Sequence, residues 1–238
     1  MSTLIEDKKN FLASYACDSY VSNGMRIGLG TGSTVAYFLK ALSQRINDLH
    51  DCTFFVTSED TLHRCTALQL PVCSLEQIEP NDVCLDLTVD GADQIDARGA
   101  MIKGGGGALL REKILAQVST EYLILITDEK EIDSLTVPLP VEVPPYSVTI
   151  AIDSLSKLVG CEKKAITLRR GDRIFGPART ENAAVILDIQ YDTIKDPKRL
   201  ATLLSNEPYV LAHGLFVERS YTYLVHNGTN TEARKISW

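Results

Sequence analysis

The sequence predicts an α/β protein: a parallel sheet covered by helices on both faces, followed by a smaller α+β region. Apolar segments such as TFFVT (53–57) and YLILIT (122–127) alternate with segments of helical apolar spacing. Nearly continuous apolar strands between helices are typical of a parallel sheet buried on both faces. The pattern changes near 131–150, where four of the nine prolines occur, which indicates an edge strand or a crossing between domains.

The elements of the first region follow from apolar spacing and from turn residues. In chain order they are a helix over 5–22, strand MRIGL (25–29), helix TVAYFLKAL (34–42), strand TFFVT, a helix capped by the following Ser/Glu/Asp stretch, strand VCLDLTV (83–89), a helix opened by a run of glycines, and strand YLILIT.

The smaller region is predicted in the same way, with Pro at an early position of its last helix. Its elements are helix SLSKLV (154–159), strand KKAITLRR (163–170), strand ENAAVILDIQY (181–191), a helix beginning near Asp196-Pro197, and two short strands in the tail GLFVERSYTYLVHN (214–227).

Composition narrows the function classes. The net charge of −7 among 238 residues, without a basic stripe, argues against a nucleic-acid partner. The six cysteines and four histidines are scattered, so the spacing indicates no metal site. No apolar run approaches the ~20 residues of a membrane span. The N-terminus lacks the basic-then-apolar order of a signal peptide, so we expect a cytoplasmic protein without a membrane partner.

A run of four glycines, in KGGGGALLREKI (103–114), separates a lysine from the predicted start of a helix. Ordering four glycines is costly in conformational entropy, so the run suits a backbone that passes close to a small molecule. Its N–H groups can bind an anion, while Lys103 and Glu112 supply a cation and a carboxylate. Taken alone, the run is equally compatible with a flexible surface hinge.

A second glycine-rich segment, GLGTGST (28–34), follows a predicted strand and precedes a predicted helix. Its spacing is not the dinucleotide fingerprint, and no P-loop lysine follows it. The hydroxyls of Thr31, Ser33 and Thr34, together with helix N-terminal amides, suit a phosphate group. A tight turn capped by Ser33 or Thr34 is the alternative.

VDGADQID (89–96) ends another predicted strand, with Asp90 and Asp93 on either side of Gly91-Ala92. A turn of this kind can aim two carboxylates into one crevice, where they divide acid and base roles. Local hydrogen bonds of turn-forming aspartates are the alternative. TSEDT (57–61) could add hydroxyls to the same crevice, because ligands collect at the carboxyl ends of parallel strands.

GLGTGST, VDGAD and KGGGGAL-REK, in this order and at these separations, resemble the ribose-5-phosphate isomerases of the A type. LPVEVPP (139–145) and HGLF (213–216) add to the likeness. The resemblance implies a Rossmann-like parallel-sheet domain over 1–130 plus 206–238. It also implies a smaller, ferredoxin-like α+β domain over 131–205 that supports oligomer contacts, and hence a homodimer or homotetramer.

The family interconverts ribose 5-phosphate and ribulose 5-phosphate in the non-oxidative pentose phosphate pathway without a metal. The resemblance therefore implies a phosphorylated pentose as substrate and no cofactor. It implies that Glu112 is the base that moves a proton between C2 and C1, and that Asp90, beside Asp93, helps to open the sugar ring. Lys103 and the amides of the glycine run would stabilise the enediolate.

The resemblance assigns the remaining contacts to residues of the same three motifs and to one lysine after YLILIT. The implied substrate-binding residues are Thr31, Gly32, Ser33, Thr34, Gly91, Ala92, Gly104, Gly105, Gly106 and Lys130. Gly107, the last glycine of the run, is assigned to the start of the helix and not to substrate contact.

Three positions depart from the family pattern. Gln94 stands where Glu is common, Leu110 replaces a threonine, and TENAA (180–184) replaces a TDNGN-like turn. None of these removes a proposed catalytic group, so they put the rate and the pH optimum in question and not the reaction type.

Two other readings share the fold. An aminosugar-phosphate deaminase or a phosphogluconolactonase would rely on a catalytic histidine, and only His63 lies near the motifs. A non-catalytic sugar-phosphate sensor could lose its acid and base groups, whereas Asp90, Asp93, Lys103 and Glu112 are all present.

Overall fold

A computed structural model describes residues 2–77, 84–171, 175–217 and 219–238. The helices in these ranges are α1 (Ser2–Tyr20), α2 (Ser33–Gln44), α3 (Glu59–Ala67), α4 (Leu109–Val118), α5 (Val148–Val159) and α6 (Pro197–Ser205). The strands are β1 (Arg26–Leu29), β2 (Thr53–Val56), β3 (Leu85–Gly91), β4 (Gln94–Asp96), β5 (Met101–Ile102), β6 (Ser119–Thr127), β7 (Glu131–Ile132), β8 (Leu139–Val143), β9 (Ile166–Leu168), β10 (Val185–Ile189), β11 (Ala212–His213), β12 (Leu215–Phe216), β13 (Tyr221–His226) and β14 (Thr231–Ile236).

The chain divides into two compact units. The first comprises Met1–Ala92, Arg111–Lys130 and Arg219–Trp238, and the second comprises Asp93–Leu110 and Glu131–Glu218. No helix in the described ranges is long and apolar enough to cross a membrane.

The first unit contains a six-stranded sheet in the order β2-β1-β3-β6-β13-β14. The five strands from β2 to β13 are mutually parallel, and β14 pairs antiparallel with β13. The parallel strands are therefore ordered 2-1-3-4-5, which is one of the two common doubly wound arrangements. This confirms the predicted Rossmann-like parallel sheet.

Helices α1 and α2 cover one face of this sheet. Leu12 of α1 and Phe38 of α2 belong to one buried cluster with Leu87 of β3. On β6, Leu123 and Leu125 join that cluster, while Ile124 between them is also fully buried. Successive side chains of a strand point to opposite faces, so β6 is buried on both, as its unbroken apolar run predicted.

The second unit contains an antiparallel sheet in the order β11-β8-β10-β9. Along the chain its elements alternate as β8-α5-β9-β10-α6-β11. This βαββαβ sequence with strand order 4-1-3-2 is the ferredoxin-like arrangement, which confirms the predicted type of the α+β region.

A further small sheet extends the second unit beyond the predicted 131–205. Its order is β12-β5-β4-β7, so it joins the hairpin of β4 and β5 to strands far along the chain. Because β11 pairs with β8 and β12 pairs with β5, residues 206–217 lie in the second unit and not with 219–238. The compact units thus differ from the predicted domains at two places. Residues 93–110 and 206–217 belong to the second unit, whereas the prediction placed them in the first domain, over 1–130 plus 206–238.

The proline-rich segment forms β8, which is an interior strand with β11 on one side and β10 on the other. An edge position was one of two predictions for it and is wrong. Pro140 is tolerated there because it contributes only its carbonyl, which accepts a hydrogen bond from the Gly214 N–H at 2.8 Å. The other prediction, a crossing between domains, is confirmed, since the second unit resumes at Glu131.

The predicted helices are all confirmed, although α5 begins at Val148 and not at 154. Ser58 caps α3 by accepting from the Thr61 N–H, and Asp196 caps α6 by accepting from the Arg199 N–H. Residue 83 of the predicted strand 83–89 lies outside the described ranges. Strands β4, β5, β7, β11 and β14 were not predicted.

The TENAA turn holds Ala183 in the left-handed region, with a φ of 56°. The Ala183 N–H donates to the Thr180 carbonyl, and the Thr180 N–H donates to the Ala184 carbonyl, both at 3.0 Å. These bonds fix a backbone conformation that costs a residue with a Cβ atom about 1–2 kcal/mol. Ala183 is therefore a strained position that suits glycine.

We expect Ala183→Gly to raise the free energy of unfolding by about 0.5–1 kcal/mol, because relief of strain exceeds the added entropy of the unfolded chain. Urea denaturation followed by circular dichroism measures the change. Gly160→Ala is the matched control: Gly160 ends α5 with a φ of 70°, and a built Cβ meets no described atom within 4 Å. It should lower the free energy of unfolding by a similar amount. A loss of stability in Ala183→Gly would contradict the strain.

Candidate active site

The order of the sheet determines where the glycine-rich motifs lie. β1 sits between β2 and β3, so the strand order reverses at β1. In doubly wound sheets, ligands bind outside the carboxyl ends of the strands at such a switch point. Gly30, Thr31 and Gly32 follow β1 directly, and Asp90 is near the end of β3. GLGTGST and the start of VDGAD therefore lie at one edge of the sheet, as predicted.

Gly30 and Asp90 are in direct contact there. A Cβ atom built on Gly30 would lie 2.0 Å from Oδ1 of Asp90, and the Gly30 N–H donates to the Val89 carbonyl at 2.9 Å. Any side chain at position 30 would collide with the carboxylate. Asp90 itself is 0 % exposed, and its Oδ1 accepts the Gly91 N–H at 2.7 Å.

A cluster of hydroxyls holds the same loop from its other side. Oγ1 of Thr31 lies 2.7 Å from Oγ1 of Thr57 and donates to Oγ of Ser58 at 2.7 Å. Thr61 Oγ1 donates to the Gly30 carbonyl at 2.8 Å. TSEDT thus contributes hydroxyls at this edge, as predicted, and they bind the GLGTGST loop itself.

Helix α2 begins at Ser33 without a side-chain cap, since its N-cap residue is Gly32 with a φ of 135°. The alternative of a turn capped by Ser33 or Thr34 is therefore wrong. Ser33 Oγ accepts from Nζ of Lys9 at 2.8 Å, which brings a cation from α1 to this helix N-terminus. Sequence reasoning missed Lys9, because 24 residues separate it from the motif it joins.

Lys130 lies in a short 3₁₀ turn, Asp128–Lys130, directly after β6. Its Nζ donates to the carbonyl of Ala92 at 2.6 Å. β6 is the neighbour of β3, so the lysine holds the loop after Asp90 at the carboxyl edge of the sheet. The predicted substrate-binding lysine is thus connected to the VDGAD motif.

Glu112 occupies the first turn of α4 and is 2 % exposed. The helix runs directly into β6, and Leu115, one turn later, packs against Phe55 and Leu85 of the sheet. Because a crossover helix runs antiparallel to the strands, its first turn lies toward their carboxyl ends. A glutamate so deeply buried is rare and marks a candidate for acid–base chemistry.

In the second unit, Lys103 precedes the glycine run and is 2 % exposed. Its Nζ lies 5.4 Å from the ring centroid of Phe216, within the range of a cation–π interaction. The Lys103 N–H donates to the Gly214 carbonyl at 2.9 Å, and a Cβ on Gly214 would lie 2.4 Å from the Lys103 carbonyl oxygen. HGLF therefore holds the lysine through its glycine and its phenylalanine.

Asp93 binds the glycine run. Its Oδ2 accepts the Gly105 N–H at 2.9 Å, and a Cβ on Gly105 would lie 2.8 Å from its Oδ1. This contact spans 12 residues, so Asp93 does more than form a local turn. Gly105 and Gly106 are exposed, while Gly104 is buried. The Gly107 N–H donates to the Gly104 carbonyl at 3.0 Å, closing a turn just before α4, which agrees with the role predicted for Gly107.

Gln94 and Leu110, two of the residues that depart from the family pattern, contact other residues of the second unit. Gln94 Oε1 accepts the N–H groups of Thr136 and Val137 at 2.9 and 3.0 Å. Leu110 packs against the buried cluster of Leu109, Ile186 and Ala212. Their side chains thus contact structural neighbours.

Two of the four histidines contact hydroxyl groups that lie outside the three motifs. His213 lies 3.0 Å from Ser205 Oγ, and His226 lies 2.9 Å from Thr231 Oγ1 and stacks on Phe11. His50 and His63 are exposed. Among the described residues, no group of three or more His, Cys, Asp or Glu side chains is placed to hold a metal ion.

The doubly wound sheet, the glycine-rich loop at its switch point and the buried carboxylates of Asp90 and Glu112 place the chain in a class: α/β proteins with carboxylates suited to acid–base chemistry.

Comparison with known proteins narrows this class. A family model described as ribose 5-phosphate isomerase A (phosphoriboisomerase A) matches residues 53–230. The ribose-5-phosphate isomerase A of Sphingopyxis alaskensis is 37% identical over 235 residues, which cover 98% of each chain. A solved structure of ribose 5-phosphate isomerase A from Methanocaldococcus jannaschii is 32% identical, with a TM-score of 0.87 over 97% of this chain and 99% of that one.

A second solved structure, of a D-ribose-5-phosphate isomerase in complex with phospho-erythronic acid, is 30% identical. Its TM-score is 0.89, over 97% of this chain and 99% of that one. The present chain belongs to the ribose 5-phosphate isomerase A family.

Proposed function

We propose that the protein interconverts D-ribose 5-phosphate and D-ribulose 5-phosphate by proton transfer through an enediolate. The observation that carries the proposal is the buried carboxylate of Glu112 on the helix that follows the glycine run, in a chain of this family. A buried carboxylate of this kind is a candidate for a group that takes up and returns a proton.

The chemistry requires one group that both takes and returns a proton. In the open-chain aldose, the Glu112 carboxylate removes the C2 proton, the electron pair of that C–H bond forms a C1–C2 double bond, and the carbonyl pair moves to O1. The O2 proton is then transferred to O1, the electron pair of the O2–H bond forms the C2 carbonyl, and the C1–C2 pair takes the proton back from Glu112 at C1. The composition of the sugar is unchanged, so no redox partner is needed.

The enediolate places negative charge on oxygen, and the second unit offers groups that can stabilise it. Lys103 supplies a positive charge that is 2 % exposed, and such a charge acts more strongly on an anion than one screened by water. The amides of Gly104 and Gly106 are the proposed hydrogen-bond donors, while the Gly105 N–H, also implied by the resemblance, already donates to Asp93.

Ring opening and phosphate binding are assigned to the first unit. Asp90 is the proposed acid–base group that helps to open the furanose ring, with Gly91 and Ala92 beside the sugar. The phosphate is assigned to the N-terminus of α2, where the hydroxyls of Ser33 and Thr34 follow Thr31 and Gly32. Lys9, bonded to Ser33, and Lys130 add positive charge for an anionic substrate.

We expect Glu112→Gln to lower kcat by ~10²-fold or more, because the amide cannot accept the C2 proton. The KM for ribose 5-phosphate should change little, since the amide has the shape of the acid. A coupled assay with ribose 5-phosphate measures both constants, and allose 6-phosphate and glucosamine 6-phosphate assayed in parallel define the substrate class.

Glu162→Gln provides the control for the same chemical change on the surface, because the Glu162 side chain is 72% exposed. Its kcat should equal that of the unmodified protein. Near-normal turnover in Glu112→Gln would remove the proposed base and would favour a sensor or a different reaction.

We further propose a homodimer or homotetramer. Four large apolar side chains of the second unit are exposed, and such side chains are candidates for contacts between copies: Tyr146, Ile150, Phe175 and Leu211. Sedimentation velocity at micromolar concentration should give two or four times the 26.2 kDa of one chain, and Ile150→Glu should shift the population toward one copy. A single chain under all conditions would contradict the proposal.

The cytoplasmic location stays a prediction.

A further inference from the structure

We propose that Arg169 is a positioning residue for the glycine run, which it orients so that the Gly106 N–H serves the enediolate. This inference rests on the proposed isomerase function and deepens it. Arg169 directly follows β9, in a segment where sequence analysis predicted only a strand. Nη1 of Arg169 donates to the carbonyl of Gly104 at 2.8 Å and to the carbonyl of Gly105 at 3.1 Å.

The geometry of a peptide group turns these two bonds into an orientation of the amides. In a trans peptide, the C=O of one residue and the N–H of the next point in opposite directions. With the Gly104 carbonyl on Arg169, the Gly105 N–H must point away from the guanidinium, and it donates to Asp93 Oδ2 at 2.9 Å. The first peptide plane is thus held at both ends.

The same rule applies to the next peptide plane. Because the Gly105 carbonyl also faces Arg169, the Gly106 N–H is directed away from the guanidinium. Gly106 lies in the exposed part of the run. Four successive glycines have wide conformational freedom, so these amides need external contacts to hold one direction. Arg169 supplies such contacts on the carbonyl side.

The guanidinium is itself fixed. Its Nε donates to Oδ2 of Asp188 at 2.8 Å and its Nη2 donates to Oδ1 at 2.5 Å, which is the bidentate geometry of an arginine–carboxylate pair. Both side chains are largely buried, at 20% and 18% exposed. Asp188 is on β10, and the Arg169 N–H donates to the Ile186 carbonyl of the same strand at 2.9 Å. Contacts with β10 therefore hold both the guanidinium and the backbone of Arg169.

This arrangement needs arginine. The planar guanidinium presents two donors to Asp188 while a third nitrogen bonds both glycine carbonyls, whereas a lysine ammonium is one compact group on a flexible stem. Lysine at 169 would keep the charge and lose the fixed direction. Donors that stabilise an oxyanion act through their preorganisation, and losing one typically costs 10²–10³-fold in kcat.

The test compares Arg169→Lys with the unmodified protein, with ribose 5-phosphate as substrate. We expect kcat to fall by at least ~10-fold and KM to change by less than ~3-fold, since the glycine amides act on the transition state more than on the bound sugar. Affinity for phospho-erythronic acid, whose carboxylate resembles the enediolate, should fall by a factor similar to that of kcat. Asp188→Asn should give a smaller loss of the same kind.

Arg98→Lys is the matched control in the same unit. Arg98 also bonds a carboxylate through Nε and Nη2, which both donate to Oδ2 of Asp96, and its Nη1 donates to a backbone carbonyl, that of Lys195 at 2.7 Å. The two substitutions should lower the midpoint of thermal unfolding by similar amounts, but Arg98→Lys should leave kcat within ~3-fold of the unmodified value.

Three results would overturn the inference: an unchanged kcat in Arg169→Lys, an equal fall of kcat in Arg98→Lys, or a loss confined to KM. Asp188→Asn keeps the test decisive if Arg169→Lys does not fold, because kcat unchanged in that variant also contradicts the role. The outcome is separable from the proposed function. If Glu112→Gln abolishes turnover and Arg169→Lys does not change it, only the role of Arg169 fails.

Discussion

The contact between Gly30 and Asp90 is the constraint on which the first unit's site depends. Parallel pairing of β1 with β3 brings the two chains so close that a Cβ on Gly30 would lie 2.0 Å from the carboxylate. β1 and β3 are equally close two residues earlier, where a Cβ on Gly28 would lie 2.1 Å from Thr88 Oγ1. The close approach of β3 therefore leaves no room for a side chain at Gly28 or Gly30. Their closeness buries Asp90 and sets the path of the loop into α2.

In the second unit, too, glycines allow the backbone to approach polar groups closely. Gly105 passes against Asp93, and Gly214 passes against the carbonyl of Lys103. In each case the missing Cβ lets the backbone approach a polar group, and a hydrogen bond then fixes the approach. The glycine run therefore differs from a free hinge, because Asp93 holds one amide and Arg169 holds two carbonyls.

Much of this could be predicted from the sequence, for physical reasons that are local. Buried strands such as β6 are continuous apolar runs, and the caps Ser58 and Asp196 are read from residue type alone. The buried charges Asp90, Lys103 and Glu112 stand out because they occur in glycine-rich motifs beside predicted strands.

The rest depends on pairings between distant segments, which leave no local pattern. β5 has two residues, too few to show a period, and it pairs with β12, more than 100 residues later. Pro140 in an interior strand contradicts the usual preference and is explained only by the bond from Gly214. Arg169 contacts the glycine run across 65 residues, and its side chain is otherwise that of an ordinary strand end.

In the proposed reaction a proton, and not a hydride, moves between C2 and C1 of the sugar. Isomerisation of ribose 5-phosphate in D₂O, with ribulose 5-phosphate analysed by NMR for deuterium at C1, distinguishes the two. We predict that solvent deuterium enters C1, in part or in full, since a shielded base can return some of the original hydrogen. Complete retention of the C2 hydrogen in the product, at every extent of reaction, would contradict the account.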